Sequence, residues 1–179
     1  MISPEQGKKL IKLVRESINS EFSNNKIDLT PYQEFNEKRG VFVTLYLKGE
    51  LRGCIGFPYD NYQIYKAVFE AAKSSAFEDP RFNPLTKKEF EQINIEVSVL
   101  TEPQIIESNY LNNIKIGEDG LIIKSSFRSG LLLPQVPKEY NWGIEEFLEH
   151  LSMKAGLNKE AWKEENSKIY KFQAQIFKE

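Results

Sequence analysis

The sequence predicts an α+β fold: a mostly antiparallel sheet of about six or seven strands, flanked by helices, with room for a smaller lobe. Two observations predict it. Several short segments alternate apolar and polar residues with a period of two and are joined by short polar turns. Between them stand single segments whose apolar residues recur at helical spacing, and they do not form a regular strand-helix-strand series.

The first element opens at Ser3-Pro4-Glu5-Gln6, where a serine cap, a proline in the first turn and a glutamine three residues after the cap spell a capping box. Leu10, Ile11, Val14 and Ile18 then repeat at helical spacing and mark its buried face. After a polar stretch near 24–30, VFVTLYL and LRGCIGF flank Lys48-Gly49-Glu50, so 41–57 reads as a β-hairpin. Phe42, Thr44 and Tyr46 make the second face of its first strand fairly apolar as well, which suggests a strand covered on both sides.

Tyr62 to Phe77 reads as a helix, with Ile64, Val68, Ala71, Ala72 and Ser75 giving it a face of mostly small residues for close packing on a sheet. Pro80 and Pro84 break the chain after it. Thr86 to Glu89 is a second capping box, and INIEVSVL follows as a strand with Ile93, Ile95, Val97 and Val99 turned inward. From 114 the pattern suggests a meander of three strands, with turns at Gly117 to Gly120 and at Arg128 to Gly130. A helix with Ile144, Phe147, Leu148 and Leu151 on its apolar stripe can stop at Gly156, and IYKFQAQIF reads as one last strand.

A chain of 179 residues fits one domain over 1–179 with a single shared core as the default, although two small lobes could divide it. With 40% hydrophobic residues it can offset the entropy of ordering, which excludes a disordered chain. The 24 basic and 26 acidic residues nearly cancel, so binding nucleic acid through bulk charge is not expected and would require a local basic cleft. One cysteine and one histidine cannot build a Cys/His-rich zinc site or an internal disulfide, which fits a reducing, cytoplasmic setting. The charged N-terminal helix has no leader-like apolar core, and no run approaches the roughly 18 apolar residues of a membrane span. No nucleotide, metalloprotease or serine-hydrolase motif is present, and no cofactor is specified.

Cys54 is the candidate catalytic residue, and it has two readings. As a nucleophile it needs a nearby cation, a helix N-terminus or a histidine base. Arg52, two residues away along the strand, is expected on its face, and Gly53 and Gly56 would let a ligand or another backbone come close. As a packed residue it would behave as a small hydrophobe. A dyad with His150 is disfavoured, because His150 falls at the edge of its helix's apolar stripe. Asp79 and Arg81 are a second candidate: either a turn clamp or, with Arg81 aimed toward Arg52, part of a site for an anion. Gln135, after Leu133-Pro134, marks a strand end or offers a free amide at a rim.

Taken in order, LRGCIG, AFEDPRFNPL, EVSVLTEP, GEDGLII, LLLPQV and the tail KAGL…W…IYKFQAQIF resemble the AMMECR family over nearly the whole chain. LRGCIG is the hallmark and quite specific. The resemblance implies an α+β fold with a principal antiparallel sheet and a smaller lobe, the hallmark lying by a cleft between them, in a compact stand-alone chain of prokaryotic type. It implies no agreed reaction. Carried over by position, the hallmark covers Leu51, Arg52, Gly53, Cys54, Ile55 and Gly56, and a second block covers Asp79, Pro80, Arg81 and Phe82. Phe57 stands where threonine is usual and Asn83 where proline is common, so no role can rest on a hydroxyl just after the hallmark.

Three functions follow as expectations. The first is an enzyme or small-ligand binding protein whose cleft, built from Arg52, Cys54 and Arg81, takes a small anionic ligand. The second is an interaction module docking a Memo-like or other protein on an exposed edge or groove. The third is a nucleic-acid modification factor. A deep pocket at 52–56, a flat apolar patch or a basic groove would separate them.

Overall fold

The structure, a computed structural model, describes all residues from Met1 to Glu179. The α+β class is as expected, but one shared core is not: the chain folds as two compact units, Met1–Leu100 with Gln175–Glu179, and Thr101–Ala174. Each has its own four-stranded sheet and its own hydrophobic cluster.

In the first unit, helix α1 (Pro4–Ser23) starts at the expected capping box, with Gln6 N–H donating to Ser3 Oγ and the Gln6 side chain accepting from Ser3 N–H. Strands β1 (Val41–Leu47) and β2 (Glu50–Phe57) form the hairpin, turning through Lys48 and Gly49, both at positive φ. Helix α2 (Ile64–Phe77) and the short α3 (Lys87–Phe90) precede strand β3 (Ile93–Leu100). The sheet order is β2-β1-β3-β8, where β8 (Ala174–Lys178) is supplied by the chain's end.

Period-two alternation gives this sheet two different faces. Val41, Val43 and Leu45 of β1, with Ile93, Ile95, Val97 and Val99 of β3, turn to one side and join α1 and α2 in the core. Phe42, Thr44 and Tyr46 of β1, with Asn94, Glu96 and Ser98 of β3, turn to the other.

In the second unit the order is β4-β7-β5-β6, with β4 (Gln104–Ile106), β5 (Gly120–Ser125), β6 (Arg128–Leu132) and β7 (Ser167–Phe172). Helix α6 (Ile144–Lys154) lays Phe147, Leu148 and Leu151 on Leu121, Ile123 and Ile169, and the short helices α4 (Tyr110–Asn113) and α5 (Val136–Glu139) fill the connections.

Two strand expectations are corrected here. The meander from 114 has two strands, not three, because 114–119 closes as a turn: buried Asp119 accepts from Lys115 N–H, and Lys115 C=O accepts from Glu118 and Asp119 N–H. The hairpin turn falls at Ser126-Phe127, with Ser126 left-handed, so Arg128 to Gly130 belong to β6. The tail is two strands. Residues 167–172 pair with β4 and β5 in the second sheet, and 174–178 continue as β8 of the first.

No helix is long and apolar enough to cross a membrane.

Candidate functional site

Strand β2 is an edge strand, and edge strands leave backbone groups unpaired unless something covers them. At Cys54 the cover is the Asp-Pro-Arg loop. Cys54 N–H donates to Asp79 Oδ2 at 2.9 Å, and Cys54 C=O accepts from Arg81 Nη2 at 3.2 Å. Asp79 is 4% exposed and also accepts from Arg81 Nε and Nη2 at 3.0 and 2.7 Å and from Arg81 N–H at 3.1 Å. The Arg81 hydrogen bonds, joined by the donor from Cys54, hold the Asp79 carboxyl far below the usual carboxylate range despite its burial. The turn clamp and the guanidinium beside the hallmark are thus one arrangement.

One position along β2, Ser75 of α2 links the two strands of the hairpin. Its hydroxyl accepts from Ile55 N–H at 2.9 Å and donates to Val43 C=O at 2.8 Å. Gly53 is what brings α2 so close, since a Cβ there would lie 2.1 Å from the Ser75 carbonyl oxygen. A Cβ on Gly56 would lie 2.3 Å from the Val41 carbonyl oxygen and 2.4 Å from the Phe42 ring. Both glycines therefore answer to close approach by the protein's own chain.

Arg52 does not follow the alternation expected of it. Leu45 pairs with Gly53 and Tyr46 with Leu51, so Arg52 is the extra residue of a β-bulge. Its Nε and Nη2 donate to Glu89 at 3.0 and 3.2 Å, and Nη2 also donates to Asn83 C=O at 2.9 Å. The guanidinium lies over the Phe82 ring, with Nη1 buried and unpartnered. Arg52, followed by Thr86, pulls the Glu89 carboxyl down to about 2.

The guanidinium bonded at Cys54 is that of Arg81, which donates to the Cys54 carbonyl and whose pKa is raised first by its hydrogen bonds to Asp79. The Arg81 side chain is 53% exposed. With Nε and Nη2 committed to Asp79 and the Cys54 carbonyl, Nη1 is the edge left free.

Cys54 itself is half-buried and faces Thr44, whose hydroxyl lies 3.3 Å from the sulfur. Cys54 pairs with Thr44, and Thr44 with Glu96, so thiol, hydroxyl and carboxylate lie in one row across β2, β1 and β3. Lys178 of β8 closes the row at 3.0 Å from Glu96 Oε2. Beside the Glu96 end, Tyr46, Asn94, Ile95, Glu96, Lys178 and Glu179 line a depression of about 240 Å³. Glu96 is not among the residues the sequence singles out; the signal for it is register, which needs the strand order before it can be read.

The remaining candidates lie in the second unit. Gln135 is exposed and precedes α5, with its carbonyl accepting from Lys138 and Glu139 N–H. His150 stacks on Trp142 with ring centroids 3.8 Å apart and planes 3° from parallel, and Tyr140 stacks on the same indole at 4.9 Å.

A family model described as AMMECR1 matches residues 11–177. The protein MJ0810 of Methanocaldococcus jannaschii is 49% identical over 100% of this chain and 92% of its own length. A Methanothermobacter thermautotrophicus protein is 43% identical over 99% of this chain and 96% of its own. Among solved structures, that of the uncharacterized protein PH0010 from Pyrococcus horikoshii superposes with a TM-score of 0.83 at 43% identity, covering 99% of this chain and 93% of that one.

Proposed function

The chain belongs to the AMMECR1 family, and from that premise we propose that it acts as an enzyme or small-ligand binding protein through the Cys54 face of its first sheet. Cys54 is the reactive group, and Arg81 receives an anionic oxygen of the ligand. The observation that carries this reading is the free, exposed edge of a guanidinium whose other edge is fixed by buried Asp79 and the Cys54 carbonyl. Such a donor is already oriented, so little ordering entropy is lost when an oxygen binds to it. Because Asp79 compensates its charge, the ligand is recognised by directed hydrogen bonds more than by net field. Thr44 orients the sulfur, Arg52 holds the loop in place through Glu89, and Gly53 and Gly56 keep the strand close to its neighbours. A cytoplasmic, reducing setting is part of the proposal, since it keeps the thiol available.

The test compares alkylation of the single thiol by iodoacetate and by iodoacetamide, which differ in charge but not in reaction. Relative to the urea-unfolded chain, the folded protein should favour iodoacetate several-fold. The preference should fall in Arg81→Gln, persist in part in Arg81→Lys and weaken with salt. Equal ratios in folded and unfolded protein would remove Arg81 as the receiver of the anion, and a thiol that reacts only on unfolding would leave Cys54 as a packing residue.

Docking of a Memo-like protein is the second reading, and one observation favours it: the Phe127 ring at the tip of the β5–β6 hairpin is fully exposed. Co-elution with a purified Memo-like protein, lost in Phe127→Ser, would support it. A nucleic-acid role has less support, because both guanidiniums near the hallmark are already matched by carboxylates.

A further inference from the structure

The row across the first sheet continues past the thiol, and its far end is a carboxylate with a replaceable counter-ion. Glu96 is 13% exposed in its side chain, and its ion-pair partner, Lys178 Nζ, belongs to a side chain that is 70% exposed. Because Lys178 is freely solvated, another cation can take its place on Glu96 at little cost, whereas leaving the largely buried carboxylate unpaired would be costly. The depression of about 240 Å³ at this end is open to Glu96, Lys178, the Asn94 amide and the Tyr46 phenol. The Tyr46 hydroxyl stays protonated, its pKa raised first by burial and then by Glu96, and is available as a donor.

We infer that Glu96 is the second anchor of the Cys54 site, and that the ligand is a small amino-bearing acid whose ammonium displaces Lys178 from Glu96 while its acidic oxygen meets Arg81. This rests on the reading of Cys54 and Arg81 given above. The register supplies the ruler. Cys54, Thr44 and Glu96 are direct cross-strand partners on one face, and neighbouring strands lie about 4.8 Å apart, so the ammonium sits about 10 Å from the group that meets the thiol. Lys178 serves as a tethered placeholder that keeps the Glu96 carboxylate from being left unpaired in the empty site.

The experiment labels Cys54 with aminoethyl and aminohexyl methanethiosulfonate, each rate being divided by that of the matching ethyl or hexyl reagent to cancel chain length. Only the longer amine can reach Glu96, so its normalised rate should exceed that of the shorter by about two- to fivefold, the range of a partly exposed ion pair. Glu96→Gln should remove the difference, and Lys178→Met, which removes the competitor, should enlarge it. Equal normalised rates for the two amines, or a preference that survives Glu96→Gln, would overturn the second anchor and leave the Cys54–Arg81 reading intact. A folded thiol inert to all four reagents would overturn both.

Discussion

The Arg52 guanidinium grips the Glu89 carboxylate at two points, Nε to Oε1 at 3.0 Å and Nη2 to Oε2 at 3.2 Å, while Glu89 Oε2 also accepts from Thr86 N–H and its hydroxyl. One carboxylate therefore caps the turn at α3 and ties the hallmark strand to it. The Arg52 side chain is 12% exposed, so its charge depends on these partners.

Arg52→Met should accordingly cost about 2 to 4 kcal/mol, because it leaves Glu89 and the Asn83 carbonyl without their shared donor. Urea denaturation measures it. A loss under about 1 kcal/mol would mean the pair behaves as a solvated one.

Acid should weaken the same tie. The Glu89 carboxyl lies at about 2 in the folded protein against an ordinary 4.5, held down first by Arg52. The unfolded chain therefore takes up this proton first, so the contribution is fully present above about pH 4.5 and is lost as pH falls toward 2. Asp79 adds a loss in the same direction at lower pH. In Glu89→Gln, stability should be lower at neutral pH and should fall less steeply between pH 5 and 2. An unchanged slope would show that Glu89 is not a principal acid-sensitive group.

The contrast between what was and was not legible in the sequence follows chain separation. Ser3, Thr86 and the Lys48-Gly49 turn were readable because caps and tight turns bond residues only a few positions apart. The Arg52–Glu89 pair joins residues 37 positions apart, and nothing local announces it. The expectation that Arg52 would flank the thiol assumed unbroken alternation, and a single bulged residue cancels that assumption. At 114–116 an alternating apolar signal was overridden by the Asp119 turn, a contact between side chain and backbone that periodicity does not see. Two lobes were legible as an alternative but their boundary was not, because the tail reads as one strand: it changes sheets at Gln173 between residues that alternate without interruption.

Gly53 of the hairpin and Ser75 of α2 should prove the least replaceable pair where the helix meets the strand. A methyl at position 53 would press on the Ser75 backbone, not on a side chain that could turn away, so Gly53→Ala should cost about 3 kcal/mol. Ser75→Ala removes the hydroxyl that links Ile55 N–H to Val43 C=O and should cost about 1 to 3 kcal/mol. Thermal denaturation of both variants tests this. A stable Gly53→Ala protein would mean that α2 can move off β2.

At the other edge of the same sheet, β8 is held by side chains as well as by strand pairing. Gln175 exchanges hydrogen bonds with the Ile2 backbone, Glu179 pairs with Arg15, and Glu179 N–H donates to Ile95 C=O. The Phe177 ring lies against Gly7 of α1 so closely that a Cβ on Gly7 would fall 2.0 Å from Phe177 Cδ1. Alanine is the better helix former by about 1 kcal/mol, yet in the wild-type background Gly7→Ala should destabilise, because the ring has to leave its place. With Phe177→Ala already present the obstacle is gone, and the same Gly7→Ala change should become neutral or stabilising. The sign reversal gives a coupling energy of about 2 kcal/mol in a double-mutant cycle read by urea denaturation. If the two changes add, the ring does not set the spacing between α1 and β8, and Gly7 would need another explanation.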